Sequence, residues 1–168
     1  VTGLPLLLEL TGRLAVVVGG GRVGLRRSRT LLAAGARVRV IAPSLLAELA
    51  ELPVEVERRH YVAGDLADAW LVIAATDDPA VNAAVAAEAE SRRLFCVRAD
   101  HAAGGTARVP AVLRRDALTV SVNAGDDPAR AASVRDVLAY LIDTRSLAGR
   151  PARPGTGSVA LVGGGPGD

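Results

Sequence analysis

Two kinds of apolar pattern alternate along the first hundred residues. Leu14-Ala-Val-Val-Val-Gly19 is an unbroken, valine-rich run, the pattern of a strand covered on both faces in a parallel sheet. A glycine-rich stretch follows. Residues 23–34 then carry helical spacing, with Leu31 and Leu32 inward, Arg26, Arg27 and Arg29 mostly outward, and Gly35 as the stop. The alternation continues with a second strand over 38–42, a short helix from Pro43-Ser44 to about Leu49, and an alternating third strand, Val54-Glu-Val-Glu57. A fourth apolar run spans Trp70 to Ala75, an alanine-rich helix covers 78–92, and a fifth strand is Leu94-Phe-Cys-Val97. Strand and helix in turn predict an α/β fold, a Rossmann-type doubly wound parallel sheet.

After Asp100 the rhythm changes. Residues 102–106 are small and glycine-rich, 108–113 read as extended, and 117–123 read as a strand. A helix then starts at Asp127-Pro128, an N-cap followed by proline at the first position. Val134, Val137, Leu138, Leu141 and Ile142 give it one apolar face. Two strands and a helix cannot close a core alone, so this small α+β segment is expected to pack on the first domain and on a second copy. The predicted organisation is a dinucleotide-binding domain over 1–109, a dimerisation and substrate segment over 110–145, a Pro/Gly-rich linker over 146–157, and the start of an unfinished domain over 158–168.

Composition narrows the partners. At 168 residues, half of them apolar, one core is expected. Aromatic residues make up 2% of the chain, so there is little to stack on bases, and nucleic acid is not an expected partner. All 20 basic residues are arginine. Residues 10–47 hold Arg13, Arg22, Arg26, Arg27, Arg29, Arg37 and Arg39 with no acid, a field that favours an anionic ligand. One cysteine, Cys96, permits no internal disulfide and makes the cytoplasm the default compartment. The apolar stretch Leu4 to Leu10 is too short for a membrane span, and no membrane association is expected.

Gly19-Gly20-Gly21-Arg22-Val23-Gly24 contains Gly-x-Gly-x-x-Gly between a buried strand and a helix. In that setting Gly19 permits the tight turn, Gly21 lets the backbone approach a pyrophosphate, and Gly24 lets helix and strand pack closely. The helix N-terminus offers its N–H groups to the phosphates. The acid expected at the end of the second strand is missing; Ala42-Pro43-Ser44 stands there, leaving Pro43, Ser44 and backbone groups for the ribose. Arg37 and Arg39 lie at the wrong end of that strand to receive a ribose phosphate, which favours NAD over NADP. Thr76 and Asp77, after the fourth strand, read both as helix caps and as contacts of the nicotinamide half.

With the glycine loop, Ala74-Ala-Thr-Asp-Asp-Pro-Ala-Val-Asn82 and Arg92-Arg-Leu-Phe-Cys-Val-Arg-Ala-Asp100 on the page, the chain resembles the dehydrogenase and chelatase part of siroheme synthase. The similarity covers about residues 3 to 143 and includes Val109-Pro110. Val159-Ala-Leu-Val-Gly-Gly-Gly-Pro-Gly-Asp168 is similar to the opening of a tetrapyrrole methyltransferase, which implies a fused methyltransferase domain in the natural protein. The resemblance implies NAD-dependent oxidation of precorrin-2 to sirohydrochlorin, a small-molecule tetrapyrrole substrate, a homodimer, and ferrous-ion insertion as a second activity. Asp100 matches the family's catalytic aspartate, as general base; read alone it is more simply a cap or turn acid at a strand end.

Three departures from the family pattern stand out. Asn123-Ala-Gly-Asp-Asp-Pro128 replaces a serine-rich loop near the substrate, and its two carboxylates are expected to repel a substrate that carries many. The chain enters linker soon after Ile142, which weakens the chelatase assignment. His101 beside Asp100 makes no metal site by itself, and no metal ligands are assigned. Rival readings are a non-catalytic NAD-sensing module and a tetrapyrrole chelatase without redox activity.

Overall fold

The computed structural model describes residues 3–116 and 118–144; the expected linker and the 158–168 segment lie outside the described residues. The first domain runs β1 (Leu14–Val18), α1 (Arg22–Ala33), β2 (Arg37–Ile41), α2 (Ala47–Ala50), β3 (Glu55–Glu57), β4 (Leu71–Ala74), α3 (Pro79–Ser91) and β5 (Phe95–Arg98). Its five strands form one parallel sheet in the order β3-β2-β1-β4-β5.

β1 is buried along its whole length, and its alternate side chains enter two different cores. Ala15 and Val17 join Leu31, Val38, Val40, Leu49 and Ile73 on one face of the sheet. Val16 and Val18 join Ile41, Leu66, Val72 and Val85 on the other. Burial on both faces is why the run shows no period of two. The outer edge of β5 is covered rather than left open: Ala107 N donates to Cys96 O at 2.9 Å, and Cys96 N donates to the Thr106 hydroxyl at 2.9 Å.

Two expectations need correction here. The second helix starts at Ala47, not at Pro43-Ser44. Residues 43–46 stay out of the helix because they are fixed to the glycine loop: Leu46 N donates to Gly20 O at 3.0 Å, and Ser44 O lies 2.1 Å from where a Cβ on Gly20 would stand. Arg27 is half-buried rather than outward; its Nε is buried without a partner, and burial, then the neighbouring Arg26, lowers its pKa.

β6 (Ala111–Arg115) and β7 (Leu118–Val122) form an antiparallel pair against α4 (Pro128–Asp143). Asp127 caps α4, its Oδ1 accepting from Arg130 N at 2.8 Å, and Arg115 grips Asp143 through two bonds of 2.8 Å. The unit is thin, with Leu113 and Ala131 as its buried apolar residues. Of the predicted apolar stripe, Leu138, Leu141 and Ile142 are half-buried, while Val134 and Val137 remain 41% and 56% exposed; Leu118 and Tyr140 elsewhere in the unit are exposed as well.

A Cβ on Gly24 would stand 2.1 Å from the Gly19 carbonyl oxygen. Gly24→Ala should therefore force α1 away from β1 and cost about 1–3 kcal/mol of stability. A denaturant midpoint unchanged from the parent would refute this contact.

Candidate dinucleotide site

At β1 the sheet changes direction, β2 going to one side and β4 to the other. A crevice outside the carboxyl ends of the strands is expected at such a point. A cleft of about 480 Å³ lies there. Gly19, Gly21, Pro43, Ser44, Thr76 and Asp77 all line it. Arg22, Val23 and Gly24 form the first turn of α1 beside it.

The glycines do different work. Gly19 has φ +127°, and a Cβ there would stand 2.3 Å from Ala75 O, so β1 and the end of β4 meet backbone to backbone. A Cβ on Gly21 would meet nothing within 4 Å, which leaves open space above the helix entrance. The first bond of the α1 ladder runs from Leu25 N to Gly21 O at 2.9 Å. The amides of Arg22, Val23 and Gly24 thus precede the ladder, no side chain caps them, and no acid lies in the first turn. Open space, uncapped amides and the positive end of the helix dipole fit a dinucleotide pyrophosphate.

Beyond the end of β2, Pro43 and Ser44 form the cleft wall. Arg37 and Arg39 are both committed to Glu55 on β3, at 2.7 Å and 3.0 Å, and hold its carboxyl below the usual range. On the β4 side, Asp78 rather than Thr76 or Asp77 caps α3: its Oδ1 accepts from Ala80 N at 2.8 Å and Val81 N at 3.4 Å. Asp77 takes no part in that cap and lies exposed in the cleft. Thr76 is pinned from below by buried Asn82, with bonds of 2.8 to 3.0 Å.

Asp100 stands past the end of β5, outside the lining of the cleft. Arg98 holds both of its oxygens, Nε to Oδ1 at 3.1 Å and Nη2 to Oδ2 at 2.6 Å. This pairing, chiefly, brings the Asp100 carboxyl down to about 2. Its folded value is depressed, so the pair contributes above the unfolded carboxylate pKa and is lost only as pH falls through about 2. Asp100 is a carboxylate over the whole neutral range.

His60 and Tyr61 also line the cleft, and sequence reasoning did not place them there. The segment carrying them is held by Arg59 on Asp65 at 2.7 Å and by Glu88 of α3, which accepts from Gly64 N and from the Tyr61 hydroxyl. Tyr61 and Glu88 are 27 residues apart, and no local pattern announces their contact. The acidic loop is also less repulsive than expected: Asp126 is paired with Arg108 at 2.7 Å, and Asp127 is occupied as the α4 cap. His101 is exposed, and among the described residues no group of three or more His, Cys, Asp or Glu gathers in metal-binding geometry. Cys96 is buried within β5, where burial raises its thiol pKa.

Comparison with known proteins adds an independent line. Residues 6–111 match the family model described as "Putative NAD(P)-binding". A siroheme synthase of Pseudomonas entomophila is 43% identical over 89% of this chain and 34% of its own length; one of Chromobacterium violaceum is 42% identical over 82% and 30%. The chain thus spans about a third of the length of these curated relatives. Among solved structures, "SirC, precorrin-2 dehydrogenase" superposes with a TM-score of 0.72 at 28% identity, covering 82% of this chain and 70% of that one.

Gly21 occupies the N-cap position of α1 in extended backbone and has room for a side chain. Gly21→Asp should therefore keep stability within about 0.5 kcal/mol, since aspartate is a good N-cap. It should weaken NAD+ binding by about tenfold or more, equivalent to about 1.4 kcal/mol, because the new carboxylate takes the phosphate's place. Calorimetry showing parental affinity would move the pyrophosphate elsewhere.

Proposed function

This chain belongs to the NAD(P)-binding family, and from that premise we propose that it is the dehydrogenase of siroheme formation, oxidising precorrin-2 to sirohydrochlorin with NAD+. The observation that carries this reading is the pairing of β4 with β5. Ala74 lies opposite Arg98, so two residues further on Thr76, in the cleft wall, and Asp100 end neighbouring strands. A substrate laid across these strand ends meets the dinucleotide on one side and a fixed carboxylate on the other. The names of the relatives supply the substrate class: siroheme synthases in sequence and a precorrin-2 dehydrogenase in structure.

Bound NAD+ supplies the hydride acceptor. The residues of the chain do the rest. Gly19, Gly21, Arg22, Val23 and Gly24 hold the pyrophosphate through backbone and helix dipole, Pro43 and Ser44 flank the ribose, and Thr76 and Asp77 face the nicotinamide half. Commitment of Arg37 and Arg39 to Glu55 leaves neither for a ribose phosphate, which supports NAD over NADP. Oxidation removes two electrons as hydride and one proton from the macrocycle. Asp100, kept ionised by Arg98, accepts hydrogen bonds from pyrrole N–H groups and guides the departing proton; with its pKa so low, it binds that proton only when Arg98 loosens. Fixed geometry between donor carbon and acceptor contributes the larger share of the rate.

The exposed apolar face of Leu118, Val134, Val137 and Tyr140 supports a homodimer in which a second copy covers it. The tail's resemblance, with the length of the relatives, supports a fused methyltransferase in the longer protein. No helix among the described residues is long and apolar enough to cross a membrane, and single-cysteine usage supports a cytoplasmic enzyme.

The assay is direct: the chain with NAD+ and enzymatically made precorrin-2 should produce the visible spectrum of sirohydrochlorin and the ultraviolet absorbance of NADH together. Asp100→Asn should lower kcat by about a hundredfold while NAD+ affinity stays within about threefold. Tight cofactor binding without turnover of precorrin-2 would leave a sensing module as the better reading. For the dimer, Val137→Glu should convert the sedimenting species to monomer without loss of secondary structure; an unchanged mass would remove this face from the interface.

A further inference from the structure

Two polar side chains among the described residues are wholly buried, Ser28 and Asn82. The Ser28 hydroxyl has no hydrogen-bond partner, whereas Asn82 makes three bonds to Thr76. Its Oδ1 accepts from Thr76 N at 3.0 Å and from the Thr76 hydroxyl at 2.8 Å, and its Nδ2 donates to Thr76 O at 2.9 Å. Asn82 is not needed to start α3, because Asp78 already caps that helix. Its task is to fix the residue where β4 leaves the sheet and enters the cleft wall.

A carboxamide nitrogen carries two hydrogens, and one bond to Thr76 O uses one of them. Ala74 lies opposite Arg98, and Ala99 N donates to Ala74 O at 2.9 Å, so Asp100 follows directly on the last backbone bond between the two strands, on the side where Thr76 leaves β4. The Asn82 amide is also among the groups that keep the Asp100 carboxyl ionised, after Arg98. Thr76 belongs to the cofactor side and Asp100 to the substrate side; one buried side chain borders both.

We infer that Asn82 is the positioning residue of the reaction centre: a single carboxamide holds the Thr76 wall of the dinucleotide cleft in register with the Asp100 carboxylate. This rests on the role given above to Asp100. A side chain that only supported the fold would affect stability and nothing else. A positioning amide sets the relation of two groups, so replacing its donor changes turnover in a way that depends on protonation.

Asn82→Asp preserves shape and the acceptor oxygen but turns the donor into a second carboxylate, facing Thr76 O and Asp100. Two carboxylates this close raise the proton affinity of one of them. At neutral pH the variant should show kcat reduced about tenfold or more. As pH falls from about 7 to about 5, protonation restores an O–H donor, and kcat should climb back toward the parent, whose own profile has no such rise. A uniform kcat deficit at all pH values, or none at any, overturns the inference.

If the variant does not fold, the parent chain carries the test. In ¹⁵N-labelled protein the Asn82 side-chain NH2 resonances should shift on adding NAD+ and again in Asp100→Asn; failure of either perturbation to move them overturns the inference. This arm needs no tetrapyrrole. Shifts present without turnover of precorrin-2 by the parent would support Asn82 as the link and count against the substrate reading alone.

Discussion

The structure depends on one close approach. At Gly19, where β1 ends, the backbone touches Ala75 beyond β4 on one side and Gly24 of α1 on the other, at separations that leave no room for a Cβ at either glycine. These contacts bring the sheet's two inner strands and the first helix to one point. The helix entrance consequently opens into the crevice where the strand order reverses. Gly20 extends the same constraint to residues 43–46. Both walls of the cleft are thus set by backbone packing around a single loop, and the open space over Gly21 is what remains between them.

Around that fixed loop, charge is distributed unevenly. The early arginines do not act as a block: Arg13 stacks on Trp70 at 3.4 Å, and Arg37 and Arg39 are taken by Glu55. Arg22, Arg26 and Arg29 stay exposed along α1, with no acid in its first turn. Their field adds to the helix dipole at its N-terminus, where an anion is wanted. Past β5 the opposite choice is made. A carboxylate is kept ionised by a two-pronged arginine and stands ready as an acceptor. The cleft therefore attracts phosphate at one end, while its neighbour offers a negative group to N–H donors.

The small β6-β7-α4 unit follows different physics. Its sheet has two strands, and its core is small, with Leu113 and Ala131 buried and Leu138, Leu141 and Ile142 half-buried among the described residues. Its exposed valines and Tyr140 are apolar area that its own chain leaves in water among the described residues. Burial of such a stripe takes a second surface, which connects the folding of this unit to assembly.

Local patterns determined the main sheet. Continuous apolar runs marked β1 and β4, glycine placement marked the turn into α1, and Asp127-Pro128 marked the start of α4, because these features act within a few residues of chain. They also located the loop at Gly19 to Gly24. Long-range contacts decided the rest. The non-helical path of residues 43–46 comes from Gly20, which stands more than twenty residues earlier; the placing of His60 and Tyr61 comes from Glu88; the burial of Arg27 comes from packing that helical spacing did not reveal. Asn82 was legible as one member of a motif. Its attachment to Thr76 is local, six residues along the chain, but the nearness of both to the end of β5 exists only once β4 and β5 lie side by side, since strand register is fixed by the whole sheet and by no stretch of sequence alone.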